Sequence, residues 1–585
     1  MYQGKILNRK FYQYLLPTVL CVVATSLNEF VDSIIVSRML GAKAMSLVNL
    51  GAPVMLAFAM IYVLLGVGGS AVYAVYSGQM EKKKADGIFT LTMIATMVLA
   101  MIILLIGLFF TDPLARMMCK SEEMLPQFIP YMRIITLSGI LILPLQVIII
   151  FMPAFGHPAV GTTLNIITNV VNLIFDYVFI RILGDVRGAA FGTLSGYIVG
   201  ALVLFVLWLC KKISLSLSPI TVRPGKALKD IVKHGISPST NQLGYCIKIS
   251  FSNWLAFKVA NMTGVTTFAL CIQVVSILSI FIGGILGAVI PLVAALYGQR
   301  DFHGIRILMK TGLKLQFIIN MALLLILELW PQIILWIYGI GGEEAEVATS
   351  AVRIFSIMFV FRGFTVLFMY YLPIIKRSGY AMIISILDGF AGVIPLEYAL
   401  SQIYGINGIW AGFTVTSILL LAGIVITNRI ISSRSKGAYS SFLLLENEGH
   451  SIPTFATTVR MQNDDISRLT PAIQEFCEKE HVNEGIALLT AISTEEMSLY
   501  SIQNSSGIDY IDILLKIYPD HILMDFRSIG TPFDLSSADP EEYSNLAMLK
   551  KMVTTVDFNY VMGMNQTRIT INREKNTMSK KRLSH

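Results

Sequence analysis

The chain has 585 residues, 55% of them apolar and 14% charged, with a mean hydropathy of +0.68. Soluble globular proteins carry about a quarter charged residues, so an ordinary cytosolic enzyme is excluded. The composition is also uneven. Residues 1–440 hold 32 Lys+Arg and 17 Asp+Glu, about 11% charged and net +15, while residues 441–585 hold 13 and 20, about 23% charged and net −7. The formal charge of +8 therefore averages a membrane-like region and a soluble one, and implies no nucleic-acid partner.

Taken in chain order, the basic start MYQGKILNRK leads into an apolar run that continues past Glu29 and Asp32. No small-residue cleavage site closes a short apolar core, so this reads as a first span and not a removed signal peptide. A spanning helix needs about 20 mostly apolar residues. The pattern predicts twelve, at roughly 11–36, 46–77, 88–111, 128–152, 160–182, 189–210, 234–257, 265–297, 308–330, 351–374, 380–400 and 408–431, with boundaries good to about four residues. The six cysteines (Cys21, Cys119, Cys210, Cys246, Cys271 and Cys477) are scattered singly, without a CxxC or ligand-spaced His, and read as small buried hydrophobes. Lys and Arg crowd the connections before span one and after spans two, six, eight, ten and twelve. The tally is about nineteen on that side against about eight on the other, which places both ends and the tail in the cytoplasm of a plasma-membrane protein.

The two halves of the helical region repeat. Pro17 matches Pro238, Gly78-Gln79 matches Gly298-Gln299, Pro153 matches Pro373, Asp176-Tyr177 matches Glu397-Tyr398 and Gly184 matches Gly405, always at an offset of 220 or 221. Six spans per half is an even number, so both halves enter from the same side, and the axis relating them runs along the membrane normal. The expected fold is an α-helical membrane protein. It has twelve transmembrane helices in two six-helix bundles, 1–218 and 219–440, around a central cavity. A small cytoplasmic α/β domain occupies 441–585.

Charges inside spans are costly, about 2.5–3.5 kcal/mol for a carboxylate on insertion scales, and so face a cavity or a partner. Span one carries Glu29 and Asp32. In span five, Asn165, Asn169, Asn172 and Asp176 are spaced 4, 3 and 4 and share one helical face. Asp176 with Asn172 one turn below offers hard oxygen ligands for Na⁺ or a carboxylate able to hold a proton, and Asp32 is the natural second carboxylate. The competing reading is that this stripe is interhelical glue. In the repeat, Asp32 maps to Asn253 and Asn172 to Val393, and only Asp176 keeps an acid, Glu397. The ion or proton site is thus expected in the first half. The substrate cavity is expected to take residues from Glu29, Lys248, Asn253, Trp254, Asp388 and Glu397, with Lys248 free to pair with one of the two acids. Aromatic and Met side chains suit lipophilic cations.

The stretches LNEFVDSIIVSRMLGAKAMSLVNLGAPV, LGVGGSAVYAVYSGQ and NVVNLIFDYVFIRILGDVRGAAFGT, together with the repeat, resemble the multidrug and toxic compound extrusion (MATE) family, closer to its DinF-like branch, over about residues 1–435. The resemblance implies a secondary antiporter, not an enzyme, that exports small lipophilic or cationic compounds as Na⁺ or H⁺ enters through the first half. By position it implies Asp32, Asn172, Asp176 and Thr193 as the coupling site, with Asn169 beside it and Na⁺, if it is the ion, on Asp32, Asn172 and Asp176. No tightly bound cofactor is implied. Membrane lipid is the solvent of the spans.

Residues 455–575 alternate helical and strand patterns: LTPAIQEFCEKEHV and GIALLTAISTEEMSLYSIQNSS as helices, then two strands and a turn, then NLAMLKKMVTTVDFNYVMGMNQTRITI as a helix and a final strand. This resembles the ATP-binding fold shared by histidine kinases and anti-sigma-factor kinases. Glu496, Gly530, Gly563 and Asn565 fit the nucleotide-binding pattern. However, Leu499 and Tyr500 stand where the family's Mg²⁺-holding Asn belongs, and Ser528 stands for the adenine-reading Asp. The resemblance therefore implies a degenerate module that serves a cytoplasmic regulatory partner and not a working ATP site. The alternatives are a flippase of a lipid-linked precursor, which requires a more cationic cavity, and a membrane-anchored signalling protein that works through the tail.

Overall fold

A computed structural model describes residues 4–119, 122, 124–213, 217–338, 344–447, 452–460, 463–504, 510–530, 532, 534 and 552–573. The first half of the helical region comprises α1 (Lys5–Leu40), α2 (Ala42–Tyr62), a π-helical turn Val63–Val67, α3 (Gly68–Gly78), α4 (Lys82–Phe109), α5 (Thr111–Met118), α6 (Leu125–Phe151), α7 (Pro158–Leu183) and α8 (Arg187–Leu209). The second comprises α9 (Pro224–Gly298), α10 (Phe302–Leu329), α11 (Pro331–Tyr338), α12 (Glu344–Ser356), α13 (Met358–Ile374), α14 (Ser378–Ile386), a π-helical turn Leu387–Ala391, α15 (Val393–Tyr404) and α16 (Ile406–Arg434).

Ten of these segments are long and apolar enough to cross a membrane, and the bent pair Ala345–Ser356 and Met358–Ile374 makes an eleventh. One of the ten is α9, whose 75 residues would extend about 110 Å if straight, against a hydrocarbon core of about 30 Å. It is broken at Ala260 (φ −139°, ψ 24°) and Asn261 (φ 52°, ψ −138°), between the two spans expected at 234–257 and 265–297. Left-handed residues also recur at the offset of the sequence repeat: Met80 with Arg300, Gly156 with Lys376, and Gly184 with Gly405. The chain therefore takes a positive φ at matching places in its two halves, although ψ differs at the last pair, 16° at Gly184 and −136° at Gly405.

The closest helix pairing that bears on function is α7 against α8. Four glycines of α8, Gly188, Gly192, Gly196 and Gly200, recur every fourth residue and form a ridge without side chains. A Cβ on Gly196 would lie 2.5 Å from the carbonyl oxygen of Thr168, and one on Gly188 would lie 2.4 Å from the nitrogen of Ile180. Small residues spaced in this way let helix backbones touch in lipid. The ridge meets the polar stripe of α7, which is how Asn165, Thr168, Asn172 and Asp176 come to be buried. The left-handed Gly184 ends α7, as expected of a glycine just past a helix C-terminus.

The tail folds as β1 (Thr454–Arg460), α17 (Asn463–Ser467), α18 (Leu469–Lys479), α19 (Glu484–Asn504), β2 (Tyr510–Ile517), β3 (His521–Ile529), β4 (Thr555–Val561) and β5 (Met564–Asn572). Its five strands form one antiparallel sheet in the order β1-β2-β3-β5-β4. Ile511, Ile513, Leu515, Ile522, Met524, Phe526, Ile569 and Ile571 line the face packed on α18 and α19. The helix expected from NLAMLKKM lies, but for Met552, outside the described residues. The C-terminal stretch expected as a single final strand is instead the hairpin of β4 and β5. TVDFNYV alternates with period two and is rich in β-branched and aromatic residues. Met562 (φ 52°) and Gly563 (φ 72°) supply the paired left-handed turn that a two-residue hairpin needs.

Candidate ion and substrate sites between the helices

Asp176 is fully buried on α7, and its Oδ2 accepts from Asn172 Nδ2 at 2.9 Å. Asn172 Nδ2 also reaches Thr193 Oγ1 of α8 at 3.4 Å, and that hydroxyl donates to the Ala189 carbonyl at 3.1 Å. Asp32, from α1, brings its carboxyl into hydrogen-bonding contact with that of Asp176. Oδ1 of each acid has no hydrogen-bond donor among the described residues. No cationic side chain among the described residues is paired with either acid, and two bare negative charges in contact repel strongly in a low dielectric. Four of the five expected coupling residues (Asp32, Asn172, Asp176 and Thr193) are thus gathered where α1, α7 and α8 meet. Asn169 is turned away and donates to Asn165 Oδ1 at 2.9 Å, which also receives Thr25 Oγ1 at 3.1 Å. Tyr131 of α6 lies within electrostatic reach of both carboxyls. A lone Tyr on an apolar helix carries no sequence signal for this. Gly192 is visible in the sequence only as part of GAAFGT.

Among the described residues no group of three His, Cys, Asp or Glu side chains is placed to hold a metal ion. Two carboxyls with an amide and a hydroxyl form a smaller oxygen set.

The second half gathers a different set. Lys248 Nζ, buried, donates to the backbone carbonyl of Asp388 at 2.8 Å, with the rings of Phe413 and Tyr245 at 5.7 and 5.9 Å. The Asp388 carboxylate takes Asn241 Nδ2 at 3.0 Å and faces Arg362 NH2 at 3.8 Å. Glu397 Oε2 accepts from Ser252 Oγ at 2.8 Å, and its Oε1 has no hydrogen-bond partner among the described residues. Lys248 therefore makes no side-chain pair with either acid. Arg362 takes that role, a charge inside span ten that is visible in the sequence but absent from the residues expected above. Trp254 is 51% exposed, with its ring 5.2 Å from Lys258 Nζ, and Asn253 is half-buried. Neither joins the Lys248 group. Glu29 is exposed, within electrostatic reach of Tyr62 from the first half and Tyr245 from the second, and so faces the space between them.

That space contains a mostly apolar cavity of about 250 Å³, lined from one side by Thr18, Cys21 and Thr162 and from the other by Gly287, Pro291 and Tyr370. A larger apolar groove of about 1160 Å³ between α4 and α8 touches none of the charged groups above, and its Met, Phe and Trp lining suits acyl chains. In the tail, Glu496 lies on α19. Ser528 and Asn565 are register partners on strand positions facing the helices, and Gly530 accepts from Tyr560 Oη at 3.3 Å. Gly563 sits instead in the β4–β5 turn, against Gly156 of the helical region.

A sequence model of the MatE family matches residues 17–178 and 246–398, together more than half of the chain. The multidrug export protein MepA of Staphylococcus saprophyticus is 22% identical over 374 residues, covering 62% of this chain and 80% of its own. Its counterpart from Staphylococcus haemolyticus is 24% identical over 361 residues, covering 60% and 77%. An outward-facing structure of a multidrug resistance MATE family transporter of the MOP superfamily superposes with a TM-score of 0.67 at 23% identity, over 73% of this chain and 96% of its own.

Proposed function

The chain belongs to the MatE family, whose members are membrane transporters and not enzymes, and on that premise we propose that it is a multidrug exporter driven by ion entry. The cargo is small and lipophilic, preferentially cationic, and the coupling ion is Na⁺ or H⁺. The observation that carries this reading is the apposition of Asp32 and Asp176, each with an oxygen left over. A pair built in this way binds and releases one cation as the helices around it move. Moving one charge through 100 mV supplies about 2.3 kcal/mol, nearly fiftyfold in gradient. The export role of the MepA relatives supports the cargo class, and the aromatic groups around Lys248 together with Glu29 support a preference for cations.

Counting α9 as two spans, together with the bent pair, gives twelve, six in each half, divided near residue 218. The excess of Lys and Arg on the tail-bearing side argues that both ends are cytoplasmic. The tail, with its Asn and Asp positions replaced, acts as a regulatory module without ATP. The lipid-precursor reading needs free cationic groups in the cavity, and both Lys248 and Arg362 are engaged at Asp388. The test is cellular accumulation of a lipophilic cation with wild-type and Asp176→Asn protein at matched membrane abundance. Accumulation should rise to the level of cells without the protein. A variant that keeps it as low as wild type would refute the site.

A further inference from the structure

The face of the tail's sheet turned away from its helices is polar, yet it is buried. Asp512, Lys516, Asp525, Arg527, Asn559 and Gln566 are all under a tenth exposed. The helical region covers this face, and both halves contribute. From the first half, the carbonyl of Ser77 accepts from Asn559 Nδ2 at 3.2 Å and that of Gln79 from Arg568 NH1 at 3.4 Å. Tyr14 Oη donates to the Met562 carbonyl at 3.1 Å, and Lys5 Nζ to Tyr510 Oη at 3.3 Å. From the second half, Gln299 Nε2 donates to Gln566 Oε1 at 2.9 Å, and Lys516 Nζ donates to the Gln299 carbonyl at 2.7 Å. Asp301, 0% exposed, forms an ion pair with Arg527, 1% exposed. The hairpin residues Val561, Met562 and Met564 join the apolar cluster formed by α1, α9, α10 and α13.

These contacts fall on the repeated Gly-Gln loops, one from each half. Between the loops the two halves touch backbone to backbone. A Cβ on Gly78 would lie 2.0 Å from the Ala295 carbonyl oxygen, and one on Gly298 would lie 2.1 Å from that of Val75. The ends of α3 and α9 thus cross through a pair of glycines related by the repeat, and they close this side of the molecule. The sheet lies over that crossing and is bonded to both sides of it. Parting α3 from α9 carries Gln79 away from Gln299, and an antiparallel sheet paired across all five strands cannot follow both.

We propose that the tail's partner is the paired Gly-Gln loops of its own transporter, and that the docked sheet is a brace that keeps the tail-bearing side shut until it is released. The effect on transport rests on the exporter reading above, and the mechanical claim does not. The exposed positions Lys83 and Gly379 serve as sites for spin labels in full-length protein whose native cysteines have been replaced, and they report the distance between halves. A second pair, at Lys83 and the exposed Asp520, reports tail release. The wild type should give one narrow distance for each pair. Arg527→Gln, which strands Asp301, and the milder Lys5→Ala with Asn559→Ala should both release the tail and add a longer half-to-half distance. In proteoliposomes they should raise the export rate about fivefold or more, in the usual range of coupling between sites. Release without the longer distance overturns the brace, and so does failure of both variants to release the tail. If no variant transports, the exporter reading fails while the distances still decide the brace.

Discussion

Replacing Gly192 by Ala is a small chemical change at one of the tightest glycine contacts among the described residues. The added Cβ would lie 1.9 Å from Asp176 Oδ1 and 2.6 Å from the Asp176 backbone nitrogen. A carboxylate oxygen can swing aside, but a backbone nitrogen in the middle of a helix cannot. Carbon reaches comfortable contact at about 3.5 Å, so α8 must retreat from α7 by about 1 Å. Overpacking of this kind costs about 1–3 kcal/mol, while helix propensity returns up to about 1 kcal/mol for Gly→Ala in any helix. Gly423→Ala, on exposed α16 backbone with nothing within 4 Å, gains the propensity without the clash, so the difference between the two variants isolates it. Binding constellations need their groups held to about 0.5 Å. A retreat of about 1 Å that parts Asp176 from Thr193 should therefore cut ion-coupled export by about tenfold or more. The assay is thermal unfolding in detergent alongside efflux from proteoliposomes. If Gly192→Ala matched Gly423→Ala in both midpoint and rate, the claim that the glycine ridge positions Asp176 would be refuted.

Gly412→Ala makes the same intrusion in the second half, 2.5 Å from Glu397 Cα. It should lower the unfolding midpoint as Gly192→Ala does but spare coupling, because the pair of carboxyls lies in the first half, and efflux lost to the same degree would move the coupling site. Tail docking should weaken in acid. Burial pushes the Asp301 carboxyl up, but Arg527, the Gly304 N–H and Lys516 hold it below its ordinary value. Docking therefore sheds a proton there and loses stability as the pH falls below about 4. Burial lowers the Lys516 ammonium, so its contribution to docking grows as the pH rises towards the ordinary lysine range and levels off there. The Lys83–Asp520 distance followed against pH checks both limbs, and Asp301→Asn should abolish the acid one. Truncation after residue 447 should leave transport at or above the wild-type rate, and its complete loss would make the tail part of the transport machine.

The helical spans, the repeat and the stripe on α7 were legible because each is a periodicity: a run of about 20 apolar residues, a constant offset of 220 or 221, and polar residues four, three and four apart. Asp32 stood out as a charge in a span. Features that depend on a partner did not show. Lys516, Arg527 and Gln566 occupy alternate strand positions, the pattern of a solvent-facing sheet surface, and only the helical region covering them makes them interior. Gly563 fits the nucleotide-binding pattern by its place in the sequence, yet it makes a hairpin turn against Gly156. Arg362 is a charge in the middle of span ten and was as legible as its partner Asp388, but only the structure brings the two together. The two Gly-Gln loops read as markers of the repeat, and their meeting could be seen only in three dimensions.

Coupling through Asp32 and Asp176 is decided by efflux of a fluorescent lipophilic cation from proteoliposomes, with a Na⁺ gradient and a pH gradient imposed separately. Wild type should export under one of the two gradients and so identify its ion, while Asp32→Asn and Asp176→Asn should fail under both with their folding intact. Export by both variants at the wild-type rate would contradict the account, as would no export by wild type under either gradient.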